Sequence, residues 1–212
     1  MKEYFSINSD AVLVTSSALY LSKCIGRENV FFSKNAVNIE DFVRSDAGYE
    51  PEDLKNIPHP RICYSGAVFE WFDEELFYKT IDANAGKSFV VLGPVSEKLL
   101  KIPRPNLHVL GVKKHSELKN YLYGMDIGII PFKDDIDLII HCNPIKMYEY
   151  LACGLPVVST ALPDTYIGQD FVKTCKGAGN FIKAIDLLLS CKRTDGERIK
   201  DFVLNNMFTF TV

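Results

Sequence analysis

What the chain lacks narrows it before any motif is read. It contains no run approaching the roughly 18 apolar residues of a membrane span. It has no basic, then apolar, then small-residue start of the kind a secretory signal shows. No Lys/Arg run reaches the density of a nucleic-acid surface, and the formal net charge is only −3, so nucleic acid is not an expected partner. The six cysteines, Cys24, Cys63, Cys142, Cys153, Cys175 and Cys191, never fall two or three residues apart, so no zinc pattern is present. With 47% apolar residues over 212 positions a core can form without a disulfide framework. Reduced thiols in a cytoplasmic protein are the expectation.

What is present is an alternation of short apolar runs and helical periodicities. Asp10 to Ser16 reads as a strand, a helical pattern carries Leu19, Leu21 and Ile25 to Gly26, and Val30 to Phe32 reads as a second strand. Residues 44–60 differ, with Pro51, Pro58, Pro60 and Gly48 and little periodicity, and read as a linker or surface excursion. From Arg61 the pattern is regular. Strands are expected at Ile62–Ser65, Phe89–Leu92, Leu107–Leu110, Ile127–Ile130 and Pro156–Thr160, with helices from Asp73, through Leu118 to Leu122, from Pro144, and over Ala178–Cys191. Such alternation means an α/β, Rossmann-like parallel sheet with helices on both faces. Ligands of such sheets bind outside the carboxyl ends of the strands, where Gly66, Gly93, Gly111 and Pro131 fall. Each glycine alone is equally explained by ordinary turn chemistry.

The densest signal runs from His141 to Thr160. Asn143 suits a helix N-cap and Pro144 the first helical position, leaving free backbone N–H groups that favour an anion. Lys146 falls in the first turn, where a cation opposes the helix dipole unless an anion is bound. Glu149 follows three residues later on the same side, so a plain surface Lys–Glu pair fits the spacing as well. Trp71, the only tryptophan, is either a packed aromatic or a surface on which a sugar or base stacks. Asp73 reads as the N-cap of the next helix. His141 is either structural or a donor contact that titrates near neutrality. Asp134, Asp135 and Asp137 read as a solvated acidic loop.

The run Pro144-x-Lys146-x-x-Glu149-Tyr150-x-Ala152-x-Gly154-x-Pro156-Val157-Val158 resembles the donor-site helix of GT-B glycosyltransferases. The resemblance is to the large retaining group 1 family related to sucrose and glycogen synthases. Five other stretches match in order: Asp10 to Ser17, Lys34 to Asn38, Ser65-Gly66, Asn106 to Gly111 and Asp126 to Pro131. Together they are most similar to cell-surface polysaccharide glycosyltransferases carrying a P-x-K-x-x-E-Y helix.

The resemblance implies a nucleotide-diphosphate sugar as donor substrate, with no cofactor and no metal. It places Glu149 on the ribose hydroxyls, the backbone of Asn143, Pro144 and Ile145 around the diphosphate, and Gly111 and Val112 near the base, with Gly66 at the first glycine turn. Three departures stand out. His141 replaces the first glutamate of the family's paired motif. Ala67 and Phe72 stand where relatives carry basic groups, which leaves Lys146 as the candidate for the phosphate charge. Asn35-Ala36 replaces the usual Asn-Gly of the hinge loop.

The implied organisation is residues 1–45 as the tail of an acceptor domain with the hinge, 46–60 as a linker, 61–192 as the donor-binding domain, and 193–212 as a shortened helical end. Catalysis in this fold uses the cleft between two domains, so an N-terminal acceptor domain is an expected partner and no catalytic residue is named. The expected activity is transfer, retaining in outcome, from a nucleotide sugar to a glycan or lipid-linked acceptor, in the cytoplasm or at the inner membrane face with peripheral association. This chain alone is expected to bind donor but transfer poorly. A non-catalytic sugar-nucleotide or protein-interaction module and a GT-B-fold epimerase are the alternatives.

Overall fold

The structure, a computed structural model, describes residues 8–42, 49–101, 103–167, 170–190 and 196–206. Cys191 and residues 43–48 therefore lie outside the described residues. Six parallel strands form the main sheet: β3 (Arg61–Ser65), β4 (Ser88–Leu92), β5 (Leu107–Gly111), β6 (Ile127–Ile130), β7 (Val157–Thr160) and β8 (Val172–Cys175). β3, β4, β6 and β7 are buried along their whole length, as expected for continuous apolar runs sandwiched between helices. The sixth strand, β8, was not legible in the sequence.

The strand order is β5-β4-β3-β6-β7-β8. The chain leaves β3 in one direction, through β4 to β5, then returns to pair β6 on the other side of β3. The loops after β3 and β6 therefore diverge, opening a crevice at their carboxyl ends. Right-handed crossovers running in opposite directions put the connecting helices on opposite faces. α3 (Glu74–Asp82) and α8 (Ala178–Ser190) touch each other on one face, and α7 (Ile145–Ala152) and α9 (Gly196–Asn206) touch each other on the other. α9 seals its face with Ile199 and Val203, both fully buried. α5 (His115–Leu122) joins β5 to β6.

The N-terminal unit is separate. β1 (Val12–Val14) and β2 (Val30–Phe32) pair in parallel as a two-stranded sheet, with α1 (Ser17–Lys23) between them. Ser16 caps α1, its hydroxyl accepting from the Leu19 N–H at 3.2 Å. α2 (Ile39–Phe42) then packs against α5 and α7 of the main domain. Residues 49–60, read as a linker or excursion, form no helix or strand but are held down: Leu54 and Ile57 enter the core, and Arg61 ion-pairs with Glu50. The remaining short helices are α4 (Glu97–Leu100) and α6 (Asp137–Ile140).

Candidate functional site

Two glycines shape the crevice. Gly66 follows β3 with φ +135, and Gly93 follows β4 with φ +150, both in backbone regions that L side chains rarely adopt. A Cβ on Gly93 would meet the Gly66 carbonyl carbon at 2.6 Å, so the two turns nest only because Gly93 carries no side chain. The Gly66 N–H donates to the Leu92 carbonyl at 2.8 Å, locking them together.

α7 is set against these turns by Tyr150. Its ring lies over Gly128 of β6, where any Cβ would collide with it, and its hydroxyl accepts from the Ser65 N–H at 2.7 Å. This buried bond ends β3 and fixes the distance between α7 and Gly66. Lys146, one turn earlier, consequently projects under Gly66. Its Nζ donates to the Tyr64 hydroxyl at 3.1 Å and lies 4.2 Å from the Tyr64 ring centroid and 4.5 Å from that of Phe132. The Tyr64 hydroxyl in turn donates to the Ala67 carbonyl at 2.8 Å. Burial lowers the Lys146 ammonium to about 8, against the opposing pull of Glu149. The site is thus a cation held by two aromatic faces and, among the described residues, with no carboxylate in direct contact.

Glu149 is not the partner in a surface pair with Lys146. Its carboxylate is largely buried and lies 3.6 Å from His115 Nε2 on α5. Burial raises its carboxyl above the ordinary range, while His115 and Lys146 act in the opposite sense. Burial also raises the Cys142 thiol, with Lys146 acting in the opposite sense.

The N-cap expectation for Asn143 is corrected. α7 begins at Ile145 with Pro144 in the cap position and no side-chain cap bond. Asn143 is instead a buried bridge: its side-chain amide donates to Asp164 at 3.1 Å, and its backbone carbonyl accepts from the Asn35 side chain at 2.7 Å. The same Asp164 carboxylate accepts from the Ser17 backbone N–H at 3.2 Å and from the Ser17 hydroxyl. The bond to Asp164 accounts for the difference, because it orients the Asn143 side chain toward a carboxylate across the fold and the helix starts one residue later, after Pro144.

Two adjoining hollows result. A cleft of about 660 Å³ is lined by Gly66, His141, Asn143, Pro144, Ile145, Lys146 and Glu149, together with Trp71, Phe132, Leu138, Ile139, Thr15 and Asn35. A smaller hollow of about 240 Å³ is lined by Gly93, Pro94, Val112, Lys113, His115 and Leu118, and shares Ser65, Gly66 and Glu149 with the first. Gly111 stands directly behind Val112 at the end of β5, with φ +71. The residues that the resemblance assigns to the donor therefore lie at one end of the sheet. His141 ends α6, its Nδ1 2.8 Å from the Asp137 carbonyl, and still faces the cleft. Asp73 caps α3 as expected, accepting from the Leu76 N–H at 2.9 Å. Asp134 and Asp135 are exposed, and among the described residues no group of three or more His, Cys, Asp or Glu side chains is placed to hold a metal. No described helix is long and apolar enough to cross a membrane. Sequence reasoning missed Asp164, Ser17, Tyr64, Phe132 and His115, all of which act through distant contacts.

Residues 60–191 match the family described as Glycosyl transferases group 1. The chain is 27% identical over 165 residues to a Bacillus subtilis (strain 168) protein assigned by name to teichuronic acid biosynthesis, the glycosyltransferase TuaH. That match covers 72% of this chain and 41% of the relative. Among solved structures, a glycosyltransferase from Rickettsia africae ESF-5 superposes with a TM-score of 0.72 at 18% identity, covering 98% of this chain and 62% of that one. HepE from Anabaena, solved with UDP and glucose, superposes with a TM-score of 0.68 at 12% identity over the same shares. The chain thus has the α/β fold of GT-B glycosyltransferase structures and spans less than two thirds of these relatives.

Proposed function

The chain belongs to the group 1 glycosyl transferases, and on that premise we propose that it carries the donor site of an enzyme moving a sugar from a nucleotide diphosphate to a glycan or lipid-linked acceptor. The kinship with TuaH supports cell-surface polysaccharide synthesis as the setting. One observation carries the reading: Lys146 Nζ and the Glu149 carboxylate face a shared crevice at the topological switch between β3 and β6. Glu149, at the seam of the two hollows, suits a ribose whose two hydroxyls donate to one carboxylate. The base then enters the smaller hollow beside Val112, His115 and Leu118. The diphosphate lies over Lys146 and the free N–H groups at the start of α7, which also stabilise it as leaving group. That a related fold was solved with UDP makes UDP the first nucleotide to test.

The N-terminal unit supports a further domain as partner. Parallel strands are ordinarily covered on both faces, yet Leu13, Phe31 and Phe32 of β1 and β2 are exposed. A second Rossmann-like domain extending that sheet would cover them and supply the acceptor side of the cleft. Cytoplasmic placement, peripheral membrane contact, a retaining outcome and independence of metal belong to the same proposal.

The test is calorimetric titration of the chain with UDP, GDP and their sugars. Saturable binding that is weakened in Lys146→Ala and Glu149→Ala supports the reading. Absence of binding to every nucleotide removes it.

A further inference from the structure

We propose that Trp71 is the platform on which the donor's sugar ring stacks, making it a specificity residue for the sugar rather than the nucleotide. The inference rests on the donor-site reading above and extends it to the opposite end of the cleft.

The geometry of the two hollows gives the direction. Glu149 and Gly66 line both, and Lys146 lines only the larger. A nucleotide with its base in the smaller hollow and its diphosphate at Lys146 therefore points its distal substituent into the larger one. That remaining space is walled by Trp71, Phe132, Leu138 and Ile139, with polar groups at His141 and Thr15. An apolar wall facing a few polar groups matches a pyranose, which has C–H faces and a hydroxyl rim. The indole takes the face and the polar groups take the rim.

Trp71 is also built to stay in place. Its carbonyl accepts from the Lys133 N–H at 2.9 Å, the next residue bridges Phe132, and the Asp73 N–H donates to the Pro131 carbonyl at 2.8 Å. The loop is thereby tied to the exit of β6. Phe69 braces the indole edge-on, ring centroids 5.5 Å apart. A fixed aromatic loses little freedom on binding, which is what a recognition surface needs. Phe72, the next residue, is fully buried beneath the loop and anchors it.

Because Trp71 is the only tryptophan, its emission reports on this wall alone. The 212-residue chain is titrated with UDP, UDP-glucose, GDP and GDP-mannose while intrinsic fluorescence is followed, and affinities are measured in parallel by calorimetry. The expected result is a change in emission with a nucleotide sugar that its parent diphosphate does not produce. Trp71→Leu is expected to lower affinity for that nucleotide sugar by roughly three- to tenfold, the size of one aromatic contact, while leaving affinity for the diphosphate unchanged. Trp71→Phe is expected to recover part of the loss. Unchanged diphosphate affinity also demonstrates that each variant is folded. If diphosphate binds but emission and the variants do not distinguish it from its sugar, this inference falls and the donor-site reading stands. If no nucleotide binds the unsubstituted chain, both fall.

Discussion

The Lys146 ammonium sits 2.8 Å from the point where a Cβ on Gly66 would lie, so the glycine turn and the buried cation occupy space left by each other. Gly66→Ala is therefore expected to act twice. A side chain at φ +135 strains the backbone by roughly 1–3 kcal/mol. It also pushes the ammonium off the Tyr64 hydroxyl, weakening diphosphate binding. Denaturant unfolding and UDP titration measure the two effects, and a variant with wild-type values in both would disprove the steric coupling.

The lowered Lys146 ammonium makes a pH prediction whose sign is fixed. The folded chain releases this proton near pH 8, whereas an unfolded chain holds it to about 10.5. Between those values the unfolded state binds more protons, so stability rises with pH across that window, and the cost of burying the cation is felt below it. Binding runs the other way. Affinity for UDP, whose phosphates are fully ionised by pH 7.5, should fall as pH rises through about 8, by up to roughly tenfold per unit. Lys146→Met, close in volume, should abolish both slopes and lower affinity at pH 7 by roughly ten- to a hundredfold. A flat affinity profile in the unsubstituted chain would contradict the assignment.

Glu149 should separate stability from binding. Its carboxyl is raised by burial, so the stability present below the unfolded value is lost as pH rises through the folded value. Wherever it is ionised, the buried carboxylate is then a liability in the free protein. Glu149→Gln is expected to raise the melting temperature at pH 7 while lowering UDP affinity roughly tenfold or more, through loss of charged hydrogen bonds to the ribose. A variant that melts lower and binds normally would show that Glu149 serves packing against His115 instead.

The legible part of this protein is that in which local pattern and tertiary contact agree. β3, β4, β6 and β7 are apolar runs buried on both sides, and the glycines after β3 and β4 mark their ends. β8 escaped because Val172-Lys173-Thr174-Cys175 is a four-residue edge strand, mostly half-buried, too short and too little buried to show a clear apolar run. α2, α4 and α6 have four residues each, too few for a helical period to appear. Lys146 was visible as an anomaly, a cation at the wrong end of a helix. Its aromatic bed was not, since Tyr64 and Phe132 lie on other elements. Asn143 misled because its side chain suits a cap, and only the fold reveals Asp164 beside it.

Asp164 provides the last test, because it joins the N-terminal unit to the donor site across 147 positions of sequence. One carboxylate receives the Ser17 N–H and hydroxyl from the start of α1 and the Asn143 amide from the approach to α7. Asp164→Ala leaves the buried Asn143 amide and the half-buried Ser17 donors without their acceptor, a loss of roughly 1–3 kcal/mol. β1 and β2 form only a two-stranded sheet, which has little stability of its own, so the loss should fall on that unit and not on the six-stranded core. Hydrogen exchange followed by mass spectrometry reads this directly. Peptides from residues 12–32 should exchange faster in the variant, while those covering β3, β6 and β7 stay protected. Uniformly faster exchange would mean that Asp164 supports the whole core, and unchanged exchange would mean that α1 is held by other contacts. The selective outcome would identify Asp164 as the clasp that ties the start of α1 to the approach to α7.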